Sequence, residues 1–254
     1  MMRYHSQVKS KGSEIKDKIL HHYYQDIYKN YLFQSGAQYY GIKYFERFLE
    51  KCWNSYPSET VNETLEIGAG QGEHWKYVKV IPSLKYVALD IRPLIDHEYL
   101  DELAPDFKSK IEFVLGTAES MPFDPERFDR TFSTCLLHHV DNPLDVLLEA
   151  RRVTKVGGQI VFILPTDPGL MNLLVKKITS YRRLSKFTNY DPKLFYALDH
   201  KNHISSLVAL IQFVFKDDEV NFKYSPFMIP SSNLNLIVGV NIIKSSSNPV
   251  YVKD

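Results

Sequence analysis

Short apolar runs alternate with amphipathic stretches through the middle of this chain. Strand-like runs fall near residues 62–67, 85–90, 111–115, 129–135 and 158–164, each bounded by polar or glycine-containing turns. Between them, apolar residues recur at helical spacing near 72–79, 95–103 and 142–154. This alternation predicts a parallel sheet with helices on both faces. Sheets of that kind take ligands at the carboxyl ends of their strands, where the strand order reverses. Ahead of the core, Lys16 to Trp53 carries helical apolar faces that Gly36 and Gly41 break into separate helices, while the first dozen residues read as a frayed arm. Behind it, ISSLVALIQFVF reads as a helix, and EVNFKYSPF and NLNLIVGVNIIK as two strands of a closing antiparallel hairpin. The expected division is a helical arm or lid over 1–57 and a catalytic domain over 58–254, with an insertion at about 168–204.

Candidate chemistry concentrates where the first two strands end. The run TLEIGAGQG places Glu66, Gly68, Ala69, Gly70 and Gly72 at the end of one strand, and YVALD ends the next strand in Asp90. Glycine removes the Cβ atoms that keep a ligand off the backbone and permits positive φ in the turn. The loop N–H groups and the following helix N-terminus are then expected to face the ligand. Asp90 is placed to accept hydrogen bonds from a ribose diol, and Ile91 to pack against a base. A dinucleotide fingerprint requires a third glycine where this chain has Glu73. Glu66 adds negative charge, which suits a ligand with a sulfonium and an ammonium better than a pyrophosphate. The residues therefore favour S-adenosylmethionine over a nicotinamide dinucleotide.

The segment resembles motif I of the class I S-adenosylmethionine-dependent methyltransferases, and three later segments agree in order. GTAESMPF (Gly116 to Phe123) is similar to the family's adenine-binding turn. FDRTFSTCLLHHVDNP (Phe128 to Pro143) resembles strand four with its histidine-bearing end, and LLEARRVTKVGGQIVFILP (Leu147 to Pro165) the helix, glycine turn and fifth strand. The resemblance covers about residues 60 to 166 and is nearest the small-molecule branch that includes quinone-biosynthesis enzymes. It implies a Rossmann-like α/β fold with a mostly parallel seven-stranded sheet, S-adenosylmethionine as cofactor, and an adenine pocket lined by Thr117, Ala118 and Glu119. Cys135, at the end of strand four, is expected to line the cofactor site as well. Thr117 stands where many relatives carry Asp or Asn, and Val156 replaces a usual proline.

Composition narrows the partners. A formal net charge of +1 lacks the broad basic field of a nucleic-acid binder. Two cysteines, Cys52 and Cys135, give neither a disulfide framework nor a metal cluster. The polar first twenty residues and the lack of a long apolar run point to a cytoplasmic protein without stable membrane insertion.

The acceptor side is less defined. His138 and His139 end strand four; one of them is expected in the cleft, and His139 is favoured as a base. Packing under the next helix is the competing role. Asp199, His200 and His203 form a second polar cluster, with His200 a candidate to bind or deprotonate a hydroxyl and helix capping the alternative. Neither cluster shows zinc-ligand spacing, so no metal is expected. The N-terminal tyrosines serve either as core or as a lid, and Lys176, Lys177, Arg182, Arg183 and Lys186 either as a solvated face or as a site for an anionic substrate. The expected reaction is methyl transfer to a small-molecule acceptor, at oxygen in preference to carbon or nitrogen. A C- or N-methyltransferase of a quinone or other metabolite and a cofactor-binding scaffold without turnover are the alternatives. Oligomeric state is not specified by the sequence.

Overall fold

The computed structural model describes residues 11–23, 44, 47–52, 61–70, 72, 75, 85–92, 105–186 and 188–248. Seven strands, β1 Glu63–Ile67, β2 Lys85–Asp90, β3 Ile111–Leu115, β4 Phe128–Thr134, β5 Thr154–Pro165, β6 Glu219–Ser225 and β7 Ile237–Ile243, form one sheet in the order β3-β2-β1-β4-β5-β7-β6. The pairings from β3 through β5 are all parallel, and β7 runs antiparallel to both β5 and β6. The described helices are α1 Lys11–His22, α2 Pro105–Lys108, α3 Pro143–Val153, α4 Leu170–Ile178, α5 Ser180–Leu184, α6 Pro192–Asp199 and α7 Ile204–Val214.

The first four expected strands stand within a residue of their observed bounds, β6 ends two residues earlier and β7 starts four residues later than read, and β5 is longer at its start. It begins at Thr154, because the Val156–Gly158 turn stays paired with the sheet end through Gly157 N to Lys244 O at 2.7 Å. α1 starts inside the segment read as a frayed arm. The insertion folds into the three helices α4 to α6. The expected helices over 72–79 and 95–103, and Tyr24, Tyr28, Tyr31, Tyr39 and Tyr40, lie outside the described residues, save Gly72 and Trp75.

Both faces of the sheet are covered, so the central strands are apolar on both sides. On one face, Leu65, Ile67, Val87, Leu89, Phe162, Val240 and Ile242 pack with Val146, Leu147 and Ala150 of α3 and Leu207, Ile211 and Val214 of α7. α3 begins where its sequence signals it: Asn142 caps the Asp145 amide and Pro143 occupies the first turn. On the other face, Tyr86, Ala88, Phe132, Val161 and Ile163 pack with Trp75 and with Phe48, Leu49 and Cys52 of the helical residues 47–52. Burial pushes the Cys52 thiol up to about 11, a little relieved by Lys223, so this cysteine is a packing group. A smaller cluster joins Ile19 of α1 to Leu184 and Phe195, with the Tyr23 ring 4.9 Å from that of Phe195.

Gly239 of β7 is the seat of the 47–52 segment: a Cβ there would stand 2.6 Å from Cys52 Sγ and 2.8 Å from the Phe48 ring. Gly239→Ala is therefore expected to destabilise by about 1–3 kcal/mol through overpacking. At about 2–4 °C per kcal/mol, calorimetry reads this as a fall of several degrees in Tm. Cys52→Ala in the same background is expected to recover part of the loss, and an unchanged midpoint for Gly239→Ala refutes the seat.

Candidate active site

The loop after β1 is stitched to the end of β2. Gly68 N and Ala69 N both donate to Leu89 O, at 2.8 and 3.1 Å, and Gly70 N donates to Asp90 Oδ2 at 2.9 Å. Gly72 N donates to Ala69 O. The expectation that these amides face a ligand is thus corrected, because neighbouring acceptors already hold them. What the loop offers instead is a bare backbone surface. At Gly68, with φ +74°, an added Cβ would come 2.8 Å from the Leu136 side chain. The other oxygen of Asp90 accepts from Arg92 N at 2.9 Å, so the carboxylate fixes the loop while remaining on the cavity wall.

Glu66 and Gly72 are placed elsewhere. Glu66 is fully buried, and its Oε2 accepts from Trp75 Nε1 and Tyr86 Oη, each at 2.7 Å. Burial, and then Glu66, push the Tyr86 phenol well above its ordinary range. A Cβ at Gly72 would lie 2.2 Å from the Trp75 ring, so this glycine makes room for that indole. Neither residue lines the cavity. Their observed role is to brace the loop from behind.

A cavity of about 840 Å³ runs along the carboxyl ends of the strands. Gly68, Ala69, Gly70, Asp90 and Ile91 line one part, with Thr117, Ala118 and Glu119 beside them. Ile91 is 73% exposed, an apolar side chain left for a ring to cover. The Thr117 hydroxyl donates to Glu119, closing the turn after β3. Cys135 also lines the cavity and holds φ +53°, the left-handed region that costs a non-glycine residue conformational energy. Asp17, Leu20, His21 and Tyr23, from α1 and its end, complete the wall.

Farther along stand three imidazoles. His138 is buried with its Nδ1 unpartnered, its ring 3.9 Å from that of His139 and 4.4 Å from that of His200. His139 Nδ1 meets Asp199 Oδ2 at 3.1 Å. His200 Nδ1 meets Asp167 Oδ2 at 2.6 Å, and Lys176 Nζ reaches the same oxygen at 2.6 Å while lying 4.0 Å over the Tyr196 ring. The segment after α6 is clamped beneath them: Lys201 N donates to His138 O, and Asn202 Nδ2 donates to Leu137 O and Val140 O. His203 stands apart, exposed at the start of α7. Asp199 pairs with His139 rather than capping a helix, and Lys176 turns inward, away from the basic face it was read with.

Burial lowers His200, against the raising influence of Asp167, and burial with its charged neighbours lowers His138 well below the usual histidine range. Burial alone would raise Asp167, yet the hydrogen bonds from His200 and Lys176 outweigh it and hold the group at about 2. Asp167 therefore contributes stability that is present above about pH 3.9 and lost as pH falls through its folded value. The ligand atoms of the three histidines lie within 4.8 Å of one another. The His138 and His139 rings are tilted by 42° to one another.

Residues 65–162 match the model of a family described as a methyltransferase domain. Over these residues the chain is similar to a methyltransferase domain. Over 160 residues it is 25% identical to 2-methoxy-6-polyprenyl-1,4-benzoquinol methylase of Caenorhabditis elegans, covering 58% of this chain and 53% of that protein. Over 97 residues it is 29% identical to a tRNA U34 carboxymethyltransferase of Marinobacter nauticus, covering 38% of this chain and 29% of that one. The chain thus spans about half, or less, of the length of these curated relatives. A solved S-adenosylmethionine-dependent methyltransferase from Thermotoga maritima, titled a possible histamine N-methyltransferase, superposes with TM-score 0.51 at 19% identity over 82% of this chain and 95% of that one. That likeness shows the shared fold. S-adenosylmethionine is the cofactor of such a domain. The bare loop, the Asp90 carboxylate and the exposed Ile91 fit its amino-acid, ribose and adenine parts.

Tyr86→Phe removes one of the hydrogen bonds to the buried Glu66 carboxyl that hold the glycine loop in place. The expected cost is about 1–3 kcal/mol, measured by denaturant unfolding. A variant as stable as the parent would show that the brace is not needed.

Proposed function

We propose that this chain is an S-adenosylmethionine-dependent methyltransferase acting on a small-molecule acceptor through an oxygen nucleophile. The observation that carries this reading is one continuous cavity. It joins the glycine loop and Asp90 at one part to His139 and His200 at another. Its volume of about 840 Å³ suits a cofactor and a small second ligand together.

The cofactor, when bound, supplies a methyl group already activated by its sulfonium. What remains for the chain is to align an acceptor oxygen and dispose of its proton. Asp90 holds the ribose hydroxyls; Ile91 and Ala118 cover the base; Glu119 and Thr117 supply its polar edge. His200 takes the acceptor proton on the ring nitrogen not engaged by Asp167. Asp167 orients that ring and stabilises the cation that forms, and Lys176 keeps Asp167 ionised. His139, held by Asp199, positions the oxygen. α1 excludes water from above. Relatives whose names include a quinol methylase keep a carbon acceptor as the second reading. The near-zero net charge disfavours tRNA as substrate despite the carboxymethyltransferase relatives.

Titration calorimetry tests the cofactor site. The parent is expected to bind S-adenosylmethionine and S-adenosylhomocysteine with micromolar affinity, and Asp90→Ala to lose about tenfold or more, since a charge-assisted hydrogen bond contributes about 1.5–3 kcal/mol. Absence of binding to either compound overturns the reading.

The pH profile tests the base. Because His200 titrates below the ordinary histidine value, kcat is expected to be flat through neutrality and to fall only on the acid side. Lys176→Met removes a positive neighbour and should move that acid limb to higher pH. Asp167→Asn removes the hydrogen bond and negative charge that raise His200, so it should move the limb lower and reduce kcat. A limb that ignores both variants rules out His200 as the base.

A further inference from the structure

α4 is inside out for a water-facing helix. Leu170, Leu174 and Ile178, four residues apart and therefore on one stripe, are 58%, 47% and 63% exposed. The polar residues Asn172 and Lys176 are buried on the opposite side. There, Lys176 reaches Asp167 and Tyr196, and Asn172 Nδ2 donates to Leu236 O. The loop between β6 and β7 continues the apolar surface. Leu170 N donates to Asn233 Oδ1 and Met171 N to Asn233 O, which ties this loop to the first turn of α4. The same loop carries exposed Phe227 and Ile229, with Met228 85% exposed at its tip. An apolar surface assembled from two segments in this way marks a docking face.

The charge around it is one-sided. Residues 168–190 contain Lys176, Lys177, Arg182, Arg183 and Lys186 with no Asp or Glu, and residues 225–236 contain no acidic residue either, in a chain whose net charge is +1. Lys177, within α4, and Arg182 and Lys186, in and just after α5, are exposed. We propose that the outer face of α4 and the β6–β7 loop tip dock reversibly on the surface of an anionic lipid bilayer, aliphatic side chains entering the interface and the lysines and arginine meeting headgroup phosphates. Basic residues near an anionic leaflet contribute attraction additively, and an amphipathic helix lying in the interface supplies the apolar part. A second copy of the chain is a poorer occupant, because pairing this face with itself brings like charges together. No helix among the described residues is long and apolar enough to cross a membrane, so the attachment is interfacial. One helix, about 10 Å across, then separates lipid from the Lys176–Asp167–His200 group.

Vesicle co-sedimentation of the full chain tests the docking face, and the result does not depend on methyl transfer. Binding to phosphatidylcholine vesicles containing phosphatidylglycerol is expected to be more than about tenfold tighter than to phosphatidylcholine alone, and to weaken as salt is added. Leu174→Asp with Ile178→Asp, and separately Met228→Asp, are expected to reduce it about tenfold or more. All three residues are exposed, so the Tm should stay at the parental value. Equal failure to sediment with both vesicle types overturns the proposal, as does binding that survives these variants. A dimer seen by light scattering that the same variants dissociate also overturns it, since a second copy then covers the face.

Discussion

A carboxyl group shut away from water must find donors, and Glu66 finds them in an indole from the turn after β1 and a phenol from β2. Removing either donor takes one hydrogen bond from that buried oxygen, at a cost of about 1–3 kcal/mol. Three pieces of chain are thereby held together: the end of β1, the Tyr86 ring and Trp75. The indole in turn needs the space that Gly72 leaves open. With its back fixed, the loop can spend its amides on Leu89 O and Asp90 and still present a smooth surface to the cavity.

The acceptor side uses the same physics with charges. Asp167 is flanked by an imidazole and an ammonium on one oxygen. Pairing of this kind offsets the desolvation of groups that burial would otherwise neutralise. His138 is the exception, a buried imidazole with an idle Nδ1. Burial first, and then its imidazole and ammonium neighbours, hold it well below the usual histidine range, 3.9 Å from the His139 ring and 4.4 Å from that of His200.

The cofactor part of this arrangement was legible because it is local in sequence. Glycines, a strand and Asp90 all fall within one βαβ span, and period and turn chemistry locate the strands. The direction of the loop amides was not legible, since it depends on where Leu89 O and Asp90 sit in three dimensions. Nor was the part played by Glu66, whose partners Trp75 and Tyr86 look like ordinary core aromatics. The acceptor side gathers residues 138–139, 167, 176, 196 and 199–200, a set that only the folded insertion brings together. Lys176 was masked by its basic neighbours, although its spacing from Asn172 places both on one helix face. Asp167 carried a usable signal: it follows β5 at the carboxyl end of the sheet, where Asp90, Thr117 and Cys135 also fall.

The position of β7 has a consequence for how the chain is made. It lies between β5 and β6, pairing antiparallel with both, although it follows both in sequence. During synthesis, β6 has no strand to join and the edge of β5 stays open until β7 has left the ribosome. An open edge is a template for association with other chains. The sheet thus closes last at an interior seam, where the buried Gln159 of β5, which accepts from Arg130 Nε and donates to Cys52 O, gains Asn241 Oδ1 as a further acceptor at 2.6 Å. Completion of the second-to-last ladder, not the first βαβ unit, marks the moment at which a nascent chain stops being adhesive.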